Sequence, residues 1–168
     1  FNTLYCAFVR PHSEYAQSVW APYSLKLKDM LENVQIRATK LVDGFGKLDY
    51  SERLTKLNLP TLVFRRRRGD MIELYKHFRT YDGNTLSRSF QPRHRPSRQH
   101  NMQLIQMRPK DGARGVQANS FYFRSTHIWN NLPANLIEAS NVNAFKNKLD
   151  DAWKDDPLKF NHKAERLQ

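Results

Sequence analysis

Apolar residues recur along this chain in blocks. Their spacing, and the proline and glycine between blocks, predicts a run of short helices. Leu4, Phe8 and Val9 give one apolar face to a first piece that Pro11 is expected to break. Ser13 stands where it could cap a second piece, with Tyr15, Val19 and Trp20 turned inward and Pro22 as the stop. Residues 24–42 carry the clearest helical signal: Leu27, Met30, Leu31, Val34, Ala38, Leu41 and Val42 repeat at helical spacing before Gly44 and Gly46. Asp49 with Glu52 reads as a capping box for a short helix that buries Leu54 and Leu57 and stops at Pro60. Thr61 can cap the next helix, about residues 62–79, with Phe64, Met71, Tyr75 and Phe78 on one face.

Between 81 and 118 the pattern stops. Pro92, Pro96 and Pro109 with Gly83, Gly112 and Gly115 interrupt a stretch poor in large apolar residues, as expected of a long loop or partly disordered insert. Gln103–Met107 has the composition of a brief strand. Helical spacing returns at 120–132, with Phe121, Ile128, Trp129 and Leu132 inward. Asn141 then caps a last helix with Val142, Phe145, Leu149 and Trp153 on one stripe, ended by Asp156-Pro157. The expected fold is mainly α, an irregular multi-helix bundle with a basic Pro/Gly-containing loop insert and room for one short β hairpin. Its parts are an N-terminal helical region 1–80, the insert 81–118, a C-terminal helical pair 119–156 packing on the first part, and a frayed tail 157–168.

Charge changes this picture from fold to partner. The chain holds 28 Lys plus Arg against 16 Asp plus Glu, a net +12 over 168 residues. Such an excess points to a polyanion, since each phosphate neutralised releases condensed counterions. Residues 1–60 carry 8 basic and 6 acidic side chains, residues 61–110 carry 12 and 3, and residues 111–168 carry 8 and 7. The middle is where the charge gathers. Arg65, Arg66, Arg67 and Arg68 cannot share one helical face, because successive residues turn by about 100°. Some of them must meet solvent or a ligand, and the guanidinium fork suits a phosphate. The plainer reading is a solvated helix start. Arg88, Arg93, Arg95 and Arg98, with His94 and His100, follow with almost no acids among them. Arg37 and Lys40 project together from the end of the 24–42 helix. These ten Lys/Arg side chains are the candidate nucleic-acid contacts, and RNA or DNA is the expected partner. Tyr122 or Phe123 beside Arg124 could stack on bases, although aromatics at helical spacing are usually core.

Catalytic chemistry finds little footing. Asp150-Asp151 and Asp155-Asp156 superficially resemble polymerase metal carboxylates. Yet they end an amphipathic helix, whereas two-metal chemistry needs carboxylates fixed on a strand turn. The six histidines are scattered, no zinc spacing occurs, and no Gly-rich phosphate loop or nucleophile elbow is present. No catalytic residue, metal site or cofactor is expected in this chain. Cys6 stands alone, so no intrachain disulfide is possible and a reducing compartment is expected. No run of 18 apolar residues occurs, so no membrane span is expected. Phe1 replaces an initiator Met without a signal segment, and the chain is expected to begin inside a longer protein.

Several ordered blocks resemble the region after the polymerase core in non-LTR (LINE-type, jockey-like) retrotransposon reverse transcriptases. They are Val9-Arg10-Pro11-His12-Ser13-Glu14-Tyr15-Ala16 with Val19-Trp20-Ala21-Pro22-Tyr23, then Leu31-Glu32-Asn33-Val34-Gln35 with Arg37-Ala38-Thr39-Lys40. A third runs from Tyr50 through Glu52-Arg53-Leu54 and Leu59-Pro60-Thr61-Leu62 to Arg65-Arg66-Arg67-Arg68-Gly69-Asp70 and Tyr75-Lys76. Trp129-Asn130-Asn131-Leu132-Pro133 and Phe145-Lys146 close the set, which spans about residues 4–153. Ser13 and Asn58 depart from it, where Leu and Gly are frequent. The resemblance implies a thumb-like and post-thumb segment that holds template, primer or target strands. Polymerisation, with its Mg ions, would belong to an upstream domain of the parent protein. That domain would be a second partner, and the nucleus the implied location. The other reading of this chain is a structural module docking on that polymerase core.

Overall fold

A computed structural model describes residues 1–80, 90, 91, 93, 100, 102–106 and 119–167, leaving the side chains of Thr80 and of 165–167 aside. The described residues are mainly helical. The chain divides into two units, Phe1–Arg67 with Asp155–Gln168, and Arg68–Lys154.

In the first unit the opening helix does not break at Pro11. α1 (Asn2–Leu4) passes into a π turn (Tyr5–Val9) and on into α2 (Arg10–Glu14). Arg10 N donates to Tyr5 O across the wider π turn, so Pro11, which has no N–H, falls where a helix begins. The break comes at Ala16, in a left-handed conformation (φ 49°), before α3 (Gln17–Trp20). Ser13 donates to Arg10 O within α2, so it is no cap. Tyr15, Val19 and Trp20, expected inward, are exposed by 80%, 84% and 40%.

α4 (Leu25–Lys40) is capped by Ser24, whose Oγ accepts from Leu27 N at 3.3 Å. Its buried residues are Glu32, Gln35 and Thr39. α5 (Tyr50–Leu57) has the expected capping box, with Asp49 N donating to Glu52 Oε2 at 2.9 Å and Ser51 N to Asp49 Oδ2 at 3.2 Å. α6 (Leu62–Thr80) starts where Phe64 N donates to Thr61 Oγ1 at 3.1 Å. The tail does not fray through Ala164. Asp156 Oδ1 accepts from Leu158 N at 2.8 Å, Thr61 N donates to Lys159 O at 2.9 Å, and Leu158 and Ala164 are buried.

The second unit packs in the ordinary way. Met71, Leu74 and Tyr75 of α6 meet Trp129 of α7 (Phe121–Asn130), Leu136 and Ile137 of α8 (Ala134–Ile137), and Phe145 and Leu149 of α9 (Val142–Ala152). Tyr75 stacks on Phe145 at 4.2 Å between centroids. Asn141 caps α9 as expected, accepting from Ala144 N at 2.8 Å. Among the described residues the β pairing is limited to Arg93 N donating to Gln103 O and Ile105 N to Gln91 O, at 2.7 and 2.8 Å. Residues 81–89, 92, 94–99, 101 and 107–118, most of the expected insert, lie outside the described residues.

Candidate functional site

The four consecutive arginines lie in the first turns of α6, and the guanidiniums of Arg65, Arg67 and Arg68 each turn to a carboxylate of their own unit. Arg65 grips Glu14 with both Nε and Nη2, the latter at 2.8 Å from Oε2, while Arg10 Nε stands 3.7 Å from the same carboxylate. Arg67 Nη1 lies 3.3 Å from Asp156 Oδ2. Arg68 makes a fork of 2.6 and 2.7 Å with Asp150. Arg66 is buried, and its charge reaches the buried Glu32. A helix turns about 100° per residue, so the four diverge as expected. They diverge onto protein groups. In these pairs they lock secondary structure, an assignment of partners that spacing alone did not reveal.

The sequence reading also missed two further cations at work inside the units. Arg124 Nε and Nη2 bind Asp70 at 2.7 and 3.1 Å, and Asp70 is 4% exposed. Arg53 is buried over the Tyr50 ring and donates from Nη1 to Ile36 O at 2.8 Å and Thr39 Oγ1 at 3.1 Å. It thereby satisfies a carbonyl near the end of α4, where positive charge meets the negative end of the helix dipole.

Of the remaining candidates, Arg37 and Lys40 are exposed in the last turn of α4. Arg93 is exposed beside Gln103, with Nη1 3.4 Å from Oε1. Arg88, Arg95 and Arg98 lie outside the described residues. Tyr122 is committed to packing: its hydroxyl donates to Ile105 O, and its ring lies 5.1 Å from both Phe90 and Phe123. His100 is buried with Nε2 3.2 Å from Trp129 O, and burial pushes its pKa down. Of the acid pairs, Asp150 and Asp156 serve Arg68 and Arg67. Among the described residues no group of three or more His, Cys, Asp and Glu side chains could hold a metal ion, and no helix is long and apolar enough to cross a membrane.

Beside the apolar cluster of Tyr5, Tyr50, Leu54 and Leu59, the interior of the first unit holds a hydrogen-bonded network centred on Glu32. Tyr50 donates to Glu32 Oε1 at 2.6 Å, and Leu62 N, at the start of α6, donates to the same carboxylate at 3.1–3.2 Å. Gln35 accepts from the Tyr5 hydroxyl at 2.9 Å and donates to Tyr50 and to Pro60 O, each at 3.1 Å. Burial raises the Glu32 pKa, against the opposing pull of the bonds from Tyr50 and Leu62 and of the His162 and Arg66 charges. Burial next to Glu32 pushes both tyrosines up as well. Residues far apart in the chain meet here: Glu14 with Arg65, Glu32 and Gln35 with Tyr50, Pro60 and Leu62, Thr39 with Arg53. These residues hold the fold together. No protein-family model, curated protein or solved structure matches the chain.

Outside that interior, the large hydrophobic side chains left exposed among the described residues all fall within residues 1–41. They include Leu4, Phe8, Tyr15, Val19 and Leu41 at 65–84%.

Proposed function

We propose that this chain is a non-catalytic accessory segment of an RNA-directed DNA polymerase of the non-LTR retrotransposon type. In this reading it contacts template, primer or target phosphates. One observation carries the polyanion: ion pairing removes cations and anions together, so with 28 against 16 a surplus of 12 positive charges outlasts internal pairing. The pairs of Arg65, Arg67 and Arg68 move the phosphate-facing role away from α6. It passes to Arg93, exposed, and to the surrounding stretch 81–118, which holds seven basic and two acidic side chains including Arg88, Arg95 and Arg98. Contacts of this kind position a strand and give affinity without sequence readout.

The test is a salt titration of binding to a fluorescent RNA–DNA hybrid and to single-stranded RNA. Arg88, Arg93, Arg95 and Arg98 changed together to Gln should weaken binding equally across sequences. The change should also flatten the slope of log K against log salt by roughly one unit for each phosphate no longer neutralised. A chain that retains neither probe at low salt overturns the reading.

The exposed apolar side chains of residues 1–41 favour a second reading, a module that docks on another protein body such as the parent's polymerase domain.

A further inference from the structure

α4 is inside out. Its buried stripe is polar, Glu32, Gln35 and Thr39, spaced by three and four residues. On the opposite side Leu27, Met30, Val34 and Arg37, continued by Leu41 at the C-cap, repeat with the same three-four spacing and are all exposed. Exposures of 42%, 57%, 45% and 83% for the four apolar members leave most of a seam uncovered. A three-four repeat is the spacing by which one helix packs its knobs into the holes of another. Two heptads of it facing water, on a helix whose other face is held by hydrogen bonds, mark a surface built for a second helix.

The charges around the seam select the occupant. Arg37 occupies a seam position itself, and exposed Lys26 and Lys40 flank it. The carboxylates of α4 are Glu32, which is buried, and Asp29, about a third of a turn from the seam. A second copy would set Arg37 and both lysines against cations of the same kind. Nucleic acid would satisfy the charges and leave Leu27, Met30, Val34 and Leu41 against water. We propose that the outward seam of α4 is a docking site for an amphipathic helix of a partner protein, aliphatic along its own seam and acidic at the flanking positions. This rests on the docking reading above and is independent of the nucleic-acid reading.

The probe is a labelled four-heptad peptide with Leu at both seam positions and Glu at both flanks, titrated by anisotropy against the full chain. Its twin carries Lys at the flanks. The acidic peptide should bind about tenfold or more tightly than its twin. Met30→Ser with Val34→Ser should weaken it by a similar factor, and Arg37→Glu should shift preference towards the twin. Equal binding of both peptides, or binding of neither, overturns the proposal. So does a concentration-dependent dimer in sedimentation velocity that Met30→Ser with Val34→Ser abolishes, which would give the seam to a second copy. Peptide binding lost in Phe8→Asp but kept in the Met30/Val34 variant would leave the docking reading standing and overturn the seam.

Discussion

The two units fill their interiors differently, although each has an apolar cluster, that of the first being Tyr5, Tyr50, Leu54 and Leu59. In the Arg68–Lys154 unit, Trp129, Phe145, Leu149, Leu74 and Tyr75 are sequestered from water, and stability comes from apolar area and ring packing. In the other unit α4 turns Glu32, Gln35 and Thr39 inward, and among the described residues the exposed large hydrophobics fall within residues 1–41. A buried polar interior is directional, because each donor must find its acceptor or cost free energy. It fixes the register of α4, α5 and the start of α6, with the apolar residues Leu27, Met30 and Val34 of α4 left on the outside. The difference is between a unit that keeps its large apolar side chains inside and one that leaves many of them on its surface.

The harshest test of this contrast is Trp129→Ala. Trp129 is fully buried, donates from Nε1 to Met102 O at 2.9 Å, and lies 5.4 Å from the Phe78 ring. Removing it should cost about 3–5 kcal/mol in urea unfolding, from the forfeited transfer energy and the cavity left behind. A loss below about 1 kcal/mol would mean that the second unit is not organised around this side chain.

Next is Glu32. Glu32→Ala strands the Tyr50 hydroxyl and the Leu62 N–H in the interior and should cost about 2–4 kcal/mol. Glu32→Gln keeps an oxygen for both donors and should stay within about 1 kcal/mol of the parent chain. The pH dependence follows from the raised pKa. The folded state holds the Glu32 proton longer than the unfolded chain, so this group stabilises fully below the ordinary value of 4.5. Its contribution is lost as the pH climbs from there through the folded value. Against a pH series of urea midpoints, the Gln variant should therefore gain on the parent as pH rises above 4.5. Parallel curves would show that Glu32 carries no such burial penalty.

What could be read in the sequence divides along the same line. Local signals were legible: the Asp49–Glu52 box, Thr61 and Asn141 are caps whose partners lie two or three residues away. The apolar stripe of α9 was legible too, because it faces a core of the same kind. The sidedness of α4 was not. An apolar stripe ordinarily marks the inward face, and only Glu32 finding Tyr50 and Leu62, 18 and 30 residues away, reverses it. Arg65 with Glu14, 51 residues apart, is hidden for the same reason, so a basic run reads as a surface. α8 spans four residues, too few to show a period. The absence of a break at Pro11 depends on a π turn that no propensity encodes.

The finest test compares two ion pairs from the same arginine run, one in each unit. Arg65–Glu14 ties α6 to α2, with both side chains 24% exposed, where solvent screens the charges only in part. Arg68–Asp150 is as well shaped, but Asp150 is 49% exposed, so its attraction is screened and ordering two long side chains offsets much of the gain. Double-mutant cycles to Ala should give a coupling of about 1–2 kcal/mol for the first pair and about 0.2–1 kcal/mol for the second. Adding salt should erase the second coupling before the first. Equal couplings would mean that the polar unit draws no more from its ion pairs than the apolar unit does. The contrast would then rest on the hydrogen bonds of Glu32 and Gln35 alone.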